Sequence, residues 1–68
     1  MKLKDLEKVI KPVYVRLEQK GVAWYKSKMF EGDSNDYYRY ACINNPDVKE
    51  RKVYSVTAIN NTLYITLW

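Results

Sequence analysis

Val53-Tyr54-Ser55-Val56-Thr57-Ala58-Ile59-Asn60-Asn61-Thr62-Leu63-Tyr64-Ile65-Thr66-Leu67-Trp68 reads as two strands joined by a two-residue turn, and this stretch decides the fold. Asn tolerates the positive φ that a type I′ turn demands, so Asn60-Asn61 marks the reversal. That turn pairs Ala58 with Leu63, Val56 with Ile65 and Tyr54 with Leu67, and one face of the hairpin is then wholly apolar. The other face carries Val53, Ser55, Thr57, Ile59, Tyr64, Thr66 and Trp68. So many large side chains are more than a solvated sheet surface needs.

An apolar sheet face requires a covering layer, and the start of the chain offers one. Leu3, Leu6, Val9 and Ile10 recur at helical spacing among Lys2, Lys4, Asp5, Glu7, Lys8 and Lys11, which predicts a short amphipathic helix. Pro12 ends it, because proline lacks the amide and pushes Lys11 out of helical geometry. Val13 to Glu18 then alternates as a strand, Gly21 marks a turn, and Val22 to Phe30 reads as the returning strand. A three-residue loop at Lys20-Gly21-Val22 pairs Leu17 with Tyr25, Val15 with Ser27 and Val13 with Met29. A tighter turn would set two lysines opposite the buried valines, a costlier arrangement. Asp33 or Ser34 is placed to cap a short helical turn through Tyr37-Tyr38-Arg39-Tyr40-Ala41, although an extended run of aromatics also fits. Asn44-Asn45-Pro46-Asp47 is a turn on composition. The expectation is an α+β fold over residues 1–68. A single small domain forms, with the N-terminal helix packed on a mainly antiparallel four-stranded sheet, in the order α-β-β-(α)-β-β.

Composition narrows the function. The 68 residues include seven Tyr, two Trp and one Phe but no His, and they carry a net charge of +4. Without His the commonest general base and metal ligand is missing, and a Ser or Cys nucleophile has no imidazole to activate it. Cys42 is the only cysteine, so it forms no internal disulfide and reads as a small packed side chain. Asp33, Asp36 and Asp47 match neither a calcium loop nor a two-metal site, and Gly21 and Gly32 make no phosphate-binding loop. No catalytic residue, metal or cofactor is expected. No apolar run approaches the ~20 residues of a membrane span, the first residues lack a signal-peptide pattern, and the unpaired cysteine suits a reducing cytoplasm.

The opening Met1-Lys2-Leu3-Lys4-Asp5-Leu6 with Val9-Ile10, the Val13-Tyr14-Val15 strand and the closing Asn60-Asn61-Thr62-Leu63-Tyr64-Ile65 resemble small proteins of bacteriophages and prophages of Gram-positive bacteria. That resemblance implies a protein of the host cytoplasm that inhibits host defence or redirects host machinery by binding a host protein. It carries no catalytic signature, and it has no counterpart for Tyr37-Tyr38-Arg39-Tyr40.

Tyr and Arg are enriched at binding hot spots, so Tyr37, Tyr38, Arg39 and Tyr40 are candidate protein contacts, with Tyr64 and Trp68 as a second patch. The competing reading makes two of the three clustered tyrosines plugs at the end of the core. A second function class, nucleic-acid binding, would use Lys26, Lys28, Lys49, Arg51 and Lys52 for phosphates and Trp24 and Tyr25 for bases. Glu31, Asp33, Asp36 and Glu50 dilute that field. A small anionic ligand held between tyrosines ranks third. One short helix covers one sheet face only, so a homodimer or higher homo-oligomer is expected, with the C-terminal strand at or near the interface, unless Tyr37 to Ile43 folds over the second face.

Overall fold

The computed structural model describes residues 1–10 and 14–68, with side chains throughout except those of Val9 and Ile10. The expectations for Pro12 and Val13, and for the inward stripe at Val9 and Ile10, lie outside this description. The chain forms a small α+β domain on a four-stranded, mostly antiparallel sheet. Its strands are β1 (Tyr14–Gln19), β2 (Lys28–Gly32), β3 (Val53–Ile59) and β4 (Thr62–Leu67), in the spatial order β2-β1-β4-β3. β1 and β4 run parallel in the centre, and each pairs outward with an antiparallel partner.

The helical content is distributed differently from the expectation. At the N-terminus a 3-10 turn, Leu3–Leu6, leads into a single helical turn, α1 (Glu7–Ile10). The Asp5 carboxylate accepts from the Lys2 amide at 2.9 Å and fixes that start. The longer helical stretch lies mid-chain, where α2 (Ser34–Tyr38) continues as a π-helical run, Arg39–Asn44. Asp33 caps it by accepting the Asp36 amide at 2.8 Å. Further 3-10 turns at Trp24–Lys26 and Pro46–Glu50 lengthen the element order beyond the one expected.

The turn at Asn60-Asn61 forms with φ of 49° and 63°. Ala58 pairs with Leu63 and Val56 with Ile65, but Leu67 pairs with Val53 instead of Tyr54. A bulge at Tyr54 absorbs the extra residue, and it coincides with the pairing of the Trp68 amide to the Lys52 carbonyl at 3.0 Å. The first hairpin departs further. Leu17 pairs with Phe30 and Val15 with Gly32, so the strand expected from Val22 begins only at Lys28. The chain from 20 to 27 forms a closed loop instead. Gly21 takes φ +89°, the Gln19 amide donates to the Ser27 carbonyl at 2.7 Å, and the Ser27 hydroxyl donates to the Trp24 carbonyl at 2.8 Å.

The core consists of Leu3, Val15, Leu17, Tyr37, Ala41, Val48, Ile65 and Leu67, with Leu6, Met29, Phe30, Tyr40, Val53 and Leu63 packed around it. All helical residues in this set lie on one sheet face, chiefly over β2 and β1. β3 lies beyond that cover. Tyr54, Val56 and Ala58, expected in the core stripe, are therefore exposed, while Leu63, Ile65 and Leu67 are held inside by the central position of β4. The segment from Tyr37 to Ile43 packs on this same face, and no described element covers the opposite one.

Candidate interaction surface

The four residues 37–40 divide between core and solvent. Helical geometry turns Tyr37 inward, 4 % exposed, while Tyr40 stacks on Phe30 with ring centroids 4.9 Å apart. Tyr38 and Arg39 point outward, and Arg39 pairs with Asp36, at 3.6 Å with 72 % of its side chain exposed. Two of the three tyrosines thus plug the core, so the stretch offers solvent one aromatic and one arginine. Tyr64 lies on the uncovered sheet face, between Thr57 of β3 and Arg16 of β1 in register. It shares no surface with Tyr38 and Arg39, which belong to the helical layer. Around Arg16 that open face carries ion pairs: Arg16 to Glu18 at 3.4 Å and to Glu31 at 3.7 Å, and Lys28 to Glu31 at 3.6 Å.

The topology gathers a different set. β1 and β4 run parallel, so the loop after β1, the end of β4, the start of β3 and the start of β2 all meet at one end of the sheet. Trp24 (83 % exposed) and Tyr25 stand there edge to face, centroids 5.9 Å apart, with the Lys26 ammonium 5.8 Å from the Tyr25 ring. Lys20 ties that loop to β4 by donating its amide to the Leu67 carbonyl at 2.7 Å. Its ammonium lies 4.6 Å from the Tyr54 ring centroid. Tyr54 in turn meets Trp68 edge-on at 4.9 Å. Both tryptophans of the chain, two exposed tyrosines and Lys20, Lys26 and Lys52 therefore occupy one end of the molecule. Exposed cations over aromatic rings stabilise such an arrangement modestly while leaving the rings available to a partner.

Arg51 does not belong to the free basic surface. Its guanidinium donates to the Gln19 side chain and to the Trp68 carbonyl, with Met29 Sδ at 3.7 Å, so it fastens β3 to the ends of β1 and β4. Lys28 is likewise drawn toward Glu31. Of the proposed phosphate ligands, Lys26 and Lys52 remain unengaged by carboxylates among the described residues.

Elsewhere, a groove of about 550 Å³ between α1 and the mid-chain helix is lined by Glu7, Lys8, Ser34, Tyr37, Tyr38, Cys42 and Lys49. Cys42 is partly exposed here, not enclosed as its sequence context suggested. The Lys49 ammonium sits 3.5 Å from Glu7. It is held above its ordinary pKa chiefly by the neighbouring Cys42 sulfur, and then by Glu7 against a desolvation effect of opposite sign. The Tyr37 hydroxyl is buried with no hydrogen-bond partner among the described residues. Burial above all, then Glu7 and Cys42, push its pKa up.

The linear sequence divides the aromatic end between two rival sites and places neither Tyr54 nor Lys20 in it. Tyr54 was assigned inward by the unbulged register. Lys20 had no signal in the linear sequence, because its neighbours arrive from more than thirty positions away. Among the described residues no helix is long and apolar enough to cross a membrane. No protein-family model, curated protein or solved structure matches this chain.

Proposed function

We propose that this chain is a non-enzymatic interaction protein, phage or prophage encoded, that acts in the cytoplasm of its bacterial host by binding a host protein and inhibiting or redirecting it. The observation that carries this reading is the convergence of Trp24, Tyr25, Tyr54 and Trp68 with Lys20, Lys26 and Lys52 at one end of the sheet. Trp and Tyr are the residues most enriched at binding hot spots, and the surrounding lysines select for an acidic partner surface. Tyr38 and Arg39 are a lesser contact on the helical layer. The test is affinity capture from a Gram-positive host lysate with three baits: the unaltered chain, Trp24→Ala/Trp68→Ser, and Tyr38→Ala/Arg39→Ala. A protein retained by the first and third baits but lost with the second supports the aromatic end. Equal retention by all three folded baits overturns it.

Single-stranded nucleic acid is the second reading, favoured by the side-by-side exposure of Trp24, Tyr25 and Lys26 on one loop. Stacking on these rings would quench tryptophan fluorescence. About three phosphate contacts would cost roughly tenfold in affinity between ~50 and ~200 mM salt. An absence of quenching with DNA or RNA oligonucleotides at low salt eliminates this reading.

A further inference from the structure

The outer edge of β3 is left open along most of its length among the described residues. A two-residue turn makes its flanking residues, Ile59 and Thr62, a hydrogen-bonded pair, and antiparallel pairs alternate from there. Thr57 therefore directs its backbone groups at Tyr64, while Val56 and Ala58 direct theirs away from β4. Toward the start of the strand the edge is occupied. The Val53 amide donates to the Met1 carbonyl at 2.7 Å, and Lys2 forms an isolated bridge with Lys52. Beyond Tyr54, no described residue pairs with the outer side.

Natural edges are usually guarded by charge, proline or brevity. The other edge, β2, follows that rule: it spans five residues and includes Lys28 and Glu31. β3 spans seven residues, Val-Tyr-Ser-Val-Thr-Ala-Ile, without a charge or a proline. Val56 and Ile59 on it are exposed. Its unpaired groups also match themselves. An antiparallel copy related by a two-fold axis at Thr57 sets Val56 against Ala58 of the second copy, and Ala58 against its Val56. Each outward amide then meets an outward carbonyl. Thr57 faces its own counterpart, Ser55 faces Ile59, and no charged side chain falls opposite a like charge. This register begins beyond the stretch held by Met1 and Lys2 and does not use the bulged Tyr54.

We propose that two copies of this chain pair through β3, antiparallel and centred on Thr57, to form one continuous eight-stranded sheet. This pairing is independent of the partner proposed for the aromatic end. The Thr57 pair is of the non-hydrogen-bonded kind, with Cα atoms about 4.5 Å apart, within the ~4.4–6.8 Å that a disulfide spans. The Ser55 residues of the two copies lie roughly 13 Å apart in the same register.

In light scattering the unaltered chain should have twice the 8.1 kDa mass of one copy. In a Cys42→Ser background, mild oxidation should convert Thr57→Cys to a covalent dimer and leave Ser55→Cys uncrosslinked. Thr57→Lys should be a folded monomer, because it sets two ammonium groups opposite each other. A mass near 8.1 kDa for the unaltered chain overturns the proposal, whether or not its edge binds some other protein. A dimer that crosslinks no better at position 57 than at position 55 overturns it too. Should the cysteine variants fail to fold, amide exchange of the unaltered chain decides. Val56 and Ala58 protected in concentrated but not dilute protein support β3 pairing, and no concentration dependence rejects it.

Discussion

Phe30 stacks on Tyr40 at 4.9 Å with 22° between the ring planes, and it meets Tyr37 edge-on at 6.3 Å. One strand residue thus draws two tyrosines of the central cluster into the core, leaving Tyr38 between them in solvent.

Tyr37→Phe should stabilise the protein by about 1 kcal/mol near neutral pH, since it removes a buried hydroxyl that has no partner among the described residues and keeps the ring. The pH dependence has a defined sign. The hydroxyl's pKa is raised by folding above its ordinary value of 10.0, so its contribution is intact below that value. It is lost as pH climbs beyond, because the unfolded chain gives up its proton first. Urea titrations from neutral to strongly alkaline pH should show a shallower alkaline loss for Tyr37→Phe.

Gly32→Ala should destabilise by about 1–3 kcal/mol, read from the denaturation midpoint. A Cβ at this position would stand 3.0 Å from both the Asp36 Cβ and the Phe30 ring. The end of β2 therefore passes so close beneath α2 that an alanine Cβ is admitted only if the Asp36 side chain or the Phe30 ring gives way by a few tenths of an ångström. An unchanged midpoint would mean that helix and strand have room to separate.

Asn61→Val should lower stability by about 1–2 kcal/mol, because a β-branched residue resists the φ of 63° held there, while Asn61→Gly should preserve it. Thermal unfolding of both variants checks the pair. Equal melting temperatures would show that the turn does not depend on left-handed geometry.

How far the sequence disclosed this molecule depended on how local each determinant is. Asn60-Asn61 acts within a few residues, and the pairs nearest it, Ala58 with Leu63 and Val56 with Ile65, form as that dipeptide dictates. The Asp33 cap is similarly local. The bulge at Tyr54 is not, since it sits beside Trp68, Lys52 and Lys20. The first hairpin departs from its alternation because its loop is stabilised by Gln19 and Ser27, polar contacts with no periodic signature. The parallel pairing of β1 with β4 joins positions nearly fifty residues apart. Nothing in the alternation of either strand announces it. The two candidate surfaces inherited these limits: each held part of the aromatic end, and only the central pairing brings the parts together.

That same central pairing carries a consequence for how the chain is made. Leu17 cannot acquire its neighbour Ile65 until the chain has been made and released from the ribosome through β4, nearly fifty residues later. Before then β1 has only β2 on one side, and its apolar residues lack the strand that encloses them. A topology governed by such distant contacts folds slowly for its size. During that interval the nascent chain exposes Val15 and Leu17 on a strand with one open edge, so a tendency to aggregate before β4 arrives is built into the strand order itself.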